Sequence, residues 1–159
     1  MYRSQPVLSA SQLTAIHGLL GQLSQQAHMR CAFLCDLSGQ ELASWTEQAE
    51  LDLVSLAALA AGDLMATMEI ARLLGGKRAC NMIIQEHDEM TILVSRVGEG
   101  LVLLIATAVD VPIGWSRLAV KRTGERILEV VGTAAMTPPP LVMSDDFVAS
   151  FNAQIDNIW

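Results

Sequence analysis

The sequence predicts an α+β domain: a five-stranded antiparallel sheet in the order 2-1-5-4-3, with helices on both faces. Three observations carry that expectation. Segments of helical and strand periodicity follow one another as helix, two strands, helix, three strands, helix. Tight turns join neighbouring strands, which makes them hairpins. Two strands, CAFLC (31–35) and LVLLIATA (101–108), are continuously apolar, as strands covered on both faces are. Those two must be central, the hairpins place the other three beside them, and helices must lie on both sides of the sheet.

Each element has a local reason. Ser9-Ala10-Ser11-Gln12 is a capping-box pattern with Ser9 as N-cap, and Leu13, Ile16, Leu20, Leu23 and Ala27 then repeat at helical spacing. A first helix over about 10–27 follows from that. After CAFLC, Asp36-Leu37-Ser38-Gly39 is turn chemistry, and Gln40 to Trp45 returns as a more polar strand. Gly75-Gly76 closes a long helix that begins near Leu51. Arg78 to Glu86 alternates Cys80, Met82 and Ile84 on one face; Glu86-His87-Asp88-Glu89 turns the chain, and Met90 to Val97 runs back. Gly98-Glu99-Gly100 turns it again into the last strand. Asp110 is placed to cap a final helix with Pro112 in its first turn, and Val120, Gly124, Ile127, Leu128 and Val131 share that helix's inner face. The sheet edges are then the 40–45 and 79–86 strands. The second carries neither Pro nor an interior Lys and is open to another strand.

The long helix, LDLVSLAALAAGDLMATMEIARLLGG (51–76), is apolar nearly all the way round. A surface helix carries one apolar stripe and one polar face. Leu53, Ala57, Ala60, Ala61, Leu64, Met68 and Ala71 make one arc suited to the sheet. Leu59, Met65, Ala66, Ile70 and Leu73 lie outside it, among Ser55, Gly62, Asp63 and Glu69. Small residues at Ala58, Gly62 and Ala66 let a neighbouring helix approach closely. Either a second chain covers this face, or the C-terminal tail does.

At 159 residues, with 52 % apolar and only 4 % aromatic residues, the chain is sized for one core filled by aliphatic side chains. We expect a domain over 1–135, then a Pro-rich spacer and an amphipathic helix over 136–159. In that tail Pro138-Pro139-Pro140 cannot continue a helix, and Ser144 or Asp145 can cap a new one. Phe147, Phe151, Ile155 and Ile158 form its apolar face, with Val148 alongside. It either docks in a partner's groove or caps its own domain or dimer. Formal net charge is −7, which disfavours nucleic acid, and the basic cluster Arg117, Lys121, Arg122, Arg126 reads as a solvated helix face. The start, MYRSQPVLSASQ, has no signal-like apolar run, and no stretch reaches about 18 uninterrupted apolar residues, so neither secretion nor direct membrane insertion is expected. Cys31 and Cys35, on one strand, lie roughly 13 Å apart, too far for a disulfide. Buried thiols in a cytoplasmic protein are expected.

Catalytic signals are missing. Gly76-Lys77 suggests a phosphate loop, but that pattern needs Gly at 71 and Ser or Thr at 78, where Ala71 and Arg78 stand. His17, His28 and His87 fall in unrelated elements without metal-ligand spacing. Asp88-Glu89 is ordinary turn chemistry. No cofactor, no metal and no enzymatic activity are expected.

Taken in order, CAFLCDLSGQELASW, the Ala-rich helix from Leu51, LLGGKRACNMIIQE, and TILVSRVGEGLVLLIATA followed by a helix resemble the Roadblock / dynein light chain 7 family over about residues 10–134. The resemblance implies a Roadblock/profilin-like fold and a non-enzymatic regulator: a homodimer that serves as a platform for a small Ras-like GTPase. The alternative it implies is a structural adaptor, light-chain-like, in a motor or signalling assembly. In the family the central helices pair and the third strands join two sheets into one. Laid on this sequence, that implies a dimer interface through Ala58, Gly62, Met65, Cys80, Met82 and Ile84, and a partner surface through Leu59, Asp63, Ala66, Ile70, Phe147, Phe151 and Ile155. No arginine finger is assigned; Arg72, Lys77 and Arg78 are the basic residues nearest the platform's end.

Overall fold

A computed structural model describes residues 7–26, 28–77 and 81–132. Its elements are α1 (Ala10–Gln26), β1 (Met29–Asp36), β2 (Glu41–Thr46), α2 (Leu53–Leu73), β3 (Met82–Glu86), β4 (Met90–Val97), β5 (Leu101–Ala108) and α3 (Ile113–Gly132). The strands form one antiparallel sheet in the order β2-β1-β5-β4-β3, as the hairpin argument requires.

Alternation along the strands feeds two cores. Phe33 pairs with Leu104, Leu104 with Val94 and Val94 with Ile83, a row that crosses the sheet beneath α2. Ala57, Ala60 and Leu64 of α2 close that core, with Leu53 and Met68 at its margin. One residue along each strand, the row Leu34, Leu103, Ser95, Met82 faces the other way. There Ile16, Leu20 and Leu23 of α1 and Val120 and Ile127 of α3 complete the second core. Period-2 side-chain direction thus puts α2 alone on one face and α1 with α3 on the other.

The chain ends its elements as the residues dictate. Ser9 N donates to Gln12 Oε1 at 2.8 Å, and Gln12 N donates to Ser9 Oγ at 3.3 Å, the reciprocal capping box. Gln12 also reaches across: its Nε2 donates to the Val130 carbonyl at 2.8 Å, tying the start of α1 to the end of α3. Asp36, 4 % exposed, accepts from Ser38 N, Ser38 Oγ and Gln40 N, which folds the β1–β2 turn around one carboxylate. At the end of α2, Gly76 N donates to Ala71 O and Gly75 N to Arg72 O, with Gly75 at φ 82°. This is a Schellman closure, and the left-handed residue is the glycine.

Several boundaries and faces differ from the sequence reading. β1 runs two residues earlier and one later than CAFLC, because the β5 ladder extends to Met29 and Asp36. β2 is shifted one residue on. β3 begins at Met82, with Asn81 outside the strand; residues 78–80 lie outside the described residues, as does Ala27. Pro112 precedes α3 and offers its carbonyl to Ser116 N, so the proline stands at the cap and Asp110 in the turn before it. Leu128 is 39 % exposed and not on the inner face of α3; Ser116 and Thr123 are buried there instead. Its side chain lies over the β4–β5 turn, where a Cβ on Gly98 would come within 2.7 Å of Leu128 Cδ2.

Candidate functional site

The candidate site is the outer face of α2. Asp52 caps the helix, accepting from Ser55 N at 3.1 Å and Ser55 Oγ at 2.5 Å, and these hydrogen bonds hold its carboxyl below the usual range. Downstream the helix buries Ala57, Ala60, Ala61 and Leu64 against the sheet. The opposite side is bare: Leu59, Met65, Ile70 and Leu73 are 69 %, 56 %, 58 % and 70 % exposed. Isolated exposed aliphatics are ordinary, but a contiguous stripe of this length on one helix marks an interaction surface. By length and composition α2 could also cross a membrane. Here it lies across the sheet.

Leu59, Ala66, Ile70 and Leu73 follow one another at helical spacing and form the crest of the stripe, with Gly62 between them. A Cβ on Gly62 would meet nothing within 4 Å, so the helix surface is open there to close approach. The flanks differ. Asp63 faces β3, where Gln85 Nε2 donates to its Oδ2 at 2.7 Å. Ala58 faces the β1–β2 turn, where a Cβ on Gly39 would lie 2.8 Å from Ala58 Cα. Met65, seven residues on, continues the Ala58 flank. Met82 and Ile84 pack on the α1/α3 core, on the other face of the sheet from Ala58, Gly62 and Met65. What β3 presents beside α2 is Ile83, Gln85 and the strand's outer edge, which pairs with no other strand among the described residues. Of the remaining expected site residues, Cys80, Phe147, Phe151 and Ile155 lie outside the described residues.

Charge sits at the stripe's margins. Glu69 and Arg72 pair bidentately, with Nε to Oε2 at 2.8 Å and Nη2 to Oε1 at 2.6 Å, and this contact lowers the Glu69 carboxyl and raises the Arg72 guanidinium. Arg72 is therefore held by its own helix. Gln85 was not singled out in the sequence; its pairing with Asp63 depends on β3 lying beside α2, and no short-range pattern signals that.

Reactive groups are dispersed. His17, His28 and His87 are exposed and belong to α1, the α1–β1 turn and the β3–β4 turn. Among the described residues no three His, Cys, Asp or Glu side chains gather as metal ligands. Cys31 and Cys35 are buried beneath α2, and burial above all pushes their thiols up, to about 11 and about 12. Cys35 Sγ lies 3.8 Å from the Ala57 carbonyl, as a donor within the core.

No protein-family model matches the chain, and no curated protein does. Solved structures do. The sheet order, the lone helix on one face and the helix pair on the other define the class: the chain has the Roadblock/LC7 family fold. In particular it is similar to the gliding protein MglB from Thermus thermophilus, with 26 % identity and a TM-score of 0.74 over 82 % of this chain and 98 % of that one. A structure described as MglB with a tetrameric arrangement is similar at 26 % identity and a TM-score of 0.75, over 82 % of this chain and 97 % of that one. The Roadblock/LC7 domain from Streptomyces avermitilis, 19 % identical with a TM-score of 0.58 over 74 % of this chain and 92 % of that one, shares the fold.

Proposed function

We propose that this chain is a non-enzymatic, cytoplasmic homodimer that binds a small Ras-like GTPase and modulates its nucleotide cycle. The observation that carries the reading is the exposed apolar stripe of α2 beside the outer edge of β3, which pairs with no other strand among the described residues. The likeness to MglB, one structure of which has a tetrameric arrangement, supports self-association. In the dimer, β3 reaches the second copy through its backbone edge and α2 through the crest at Gly62; Ala58 and Met65, on the flank opposite Asp63, stand apart from that edge. Leu59 and Ile70, with Ala66 at the seam where the two helices meet, then form a two-helix platform for the GTPase. Met82 and Ile84 support the edge from beneath.

A platform acts on a nucleotide cycle only by binding one switch conformation more tightly than the other. If the platform accelerates hydrolysis, its contribution is to position the partner's own catalytic groups. The tail residues Phe147, Phe151 and Ile155 make a second contact when a partner is present. Neither nucleic acid nor insertion into a membrane forms part of this reading: the chain is acidic, and Asp63, Glu69 and Arg72 interrupt the apolar helix.

The test is a pull-down from native lysate with the full chain, loaded in parallel with GDP and a non-hydrolysable GTP analogue. A small GTPase retained preferentially in one nucleotide state is the expected result. Motor or receptor components retained with no nucleotide dependence would replace this reading with the adaptor.

A further inference from the structure

We propose that the acidic C-terminal segment, residues 144–159, rests on α3 of its own chain, over the ridge formed by Trp115 and Leu118. These two side chains are one helical turn apart and 52 % and 46 % exposed. Leu118 lines two clefts, one of about 520 Å³ toward Met82 and Lys121, the other about 560 Å³ toward Gln26 and Arg122. Together they flank an apolar ridge, with a mixed lining whose charges are largely basic, and are of a size that takes large side chains.

Charge selects the occupant. Arg117, Lys121, Arg122 and Arg126 border the ridge, and none makes an ion pair among the described residues; Arg126 donates only to Gln22, at 3.0 Å. Glu125 and Glu129 are the acidic residues of α3, and α1, packed beside it, has none. In a chain of net charge −7 this is a local basic field. Residues 133–159 carry Asp145, Asp146 and Asp156 and no Lys or Arg, with Phe147, Phe151 and Ile155 on one side of a helical repeat. The other bare apolar surface, α2, carries Asp52, Asp63 and the paired Glu69 and Arg72, with Lys77 just past its end, so it offers the segment no attraction comparable to that of α3.

Reach permits it within one chain. Leu118 lies fourteen residues before Gly132, roughly 21 Å along a helix rising about 1.5 Å per residue. The eleven residues 133–143 span up to roughly 36 Å when extended. Because α3 and α2 lie on opposite faces of the sheet, a tail resting there leaves the α2 surface open. The inference concerns only where the tail sits in the isolated protein, and it stands whether or not the partner is a GTPase.

Hydrogen exchange of the full chain, without partner, tests it. Amides of residues 147–156 should exchange at least about ten-fold more slowly than in an unstructured chain, at a rate independent of protein concentration. Protection should fall several-fold between about 0.1 and 1 M salt, a measurement that needs no variant. The triple variant Arg117→Glu, Lys121→Glu, Arg122→Glu should abolish it, and adding Asp145→Arg and Asp146→Arg should restore at least about a third of it. Absence of protection overturns the proposal. So does protection that ignores both salt and the triple variant, which would put the tail elsewhere, or protection that grows with concentration, which would assign it to a second copy.

Discussion

Gln85 Nε2 donates to Asp63 Oδ2 at 2.7 Å, joining the exposed side of α2 to the edge strand of the sheet. The two residues are 22 apart in sequence and belong to the two elements expected to meet a second copy. Their bond ties the flank of the helix to the edge strand. Asp63→Ala should cost about 1 kcal/mol of stability, the usual worth of one partly exposed hydrogen bond. If the edge and helix act together in a dimer, the same change should weaken dimerisation more than it lowers the monomer's urea midpoint. Sedimentation and urea unfolding of one variant give both readings.

Ala66→Glu places a carboxylate on the crest of the α2 stripe, among Leu59, Ile70 and Leu73. Because the position is exposed in the single chain, the fold should change by less than about 0.5 kcal/mol. A charge forced into an apolar contact costs several times that. Sedimentation should therefore show wild-type dimer and variant monomer at micromolar concentration. A wild-type monomer there would remove the dimer altogether. Met82→Lys is the poorer probe, because Met82 packs on the α1/α3 core and its loss would damage the fold itself.

The strand order could be read because CAFLC and LVLLIATA are continuous apolar runs and the turns between strands are short. The two sides of α2 could be read because Ala57, Ala60, Ala61 and Leu64 keep one helical phase while Leu59, Ala66 and Ile70 keep another. Cys80, Met82 and Ile84 illustrate what alternation leaves open. Period 2 groups residues on one face but does not say which core that face meets. The pairing of Met82 with Ser95 and Ile84 with Leu93 decides it, and that register is a long-range property. Leu128 failed for a related reason: its helical phase is inward, but the β4–β5 turn at Gly98 draws the side chain to the rim. Asp63 kept its place on α2 but proved to be held by Gln85, a partner invisible to local spacing.

Gly39→Ala should destabilise the domain by more than about 1 kcal/mol. The residue has φ 83°, a conformation that disfavours any side chain, and its new Cβ would stand 2.8 Å from Ala58 Cα. Backbone cannot yield as a side-chain tip does, so α2 must shift outward. Thermal unfolding should show the loss, and hydrogen exchange should place the loosened amides in the β1–β2 turn and the first turns of α2. A variant as stable as the wild type would mean that the turn does not support the helix.

The buried thiols make stability depend on alkaline pH. Burial is the main cause of both shifts; Glu41 adds to it at Cys31, and Asp36 and then Glu41 add to it at Cys35. Both groups rise from an ordinary value of 9.0, to about 11 and about 12. Below pH 9 folded and unfolded chains hold these protons alike, and the contribution is fully present. Above it the unfolded chain releases protons that the folded chain keeps, so the unfolded state gains. Stability should fall as pH rises from 9 through the folded values, by at most about 1.4 kcal/mol per pH unit for each thiol. Urea midpoints measured from pH 8 to 10.5 should therefore drop more steeply in the wild type than in Cys31→Ala/Cys35→Ala. Lys77 and Lys121 are common to both proteins and cancel in the comparison. For the same reason native Cys31 and Cys35 should resist alkylation at pH 8 and react on unfolding, since the thiolate is the nucleophile. Equal slopes together with rapid native alkylation would show that α2 does not seal the core above these residues.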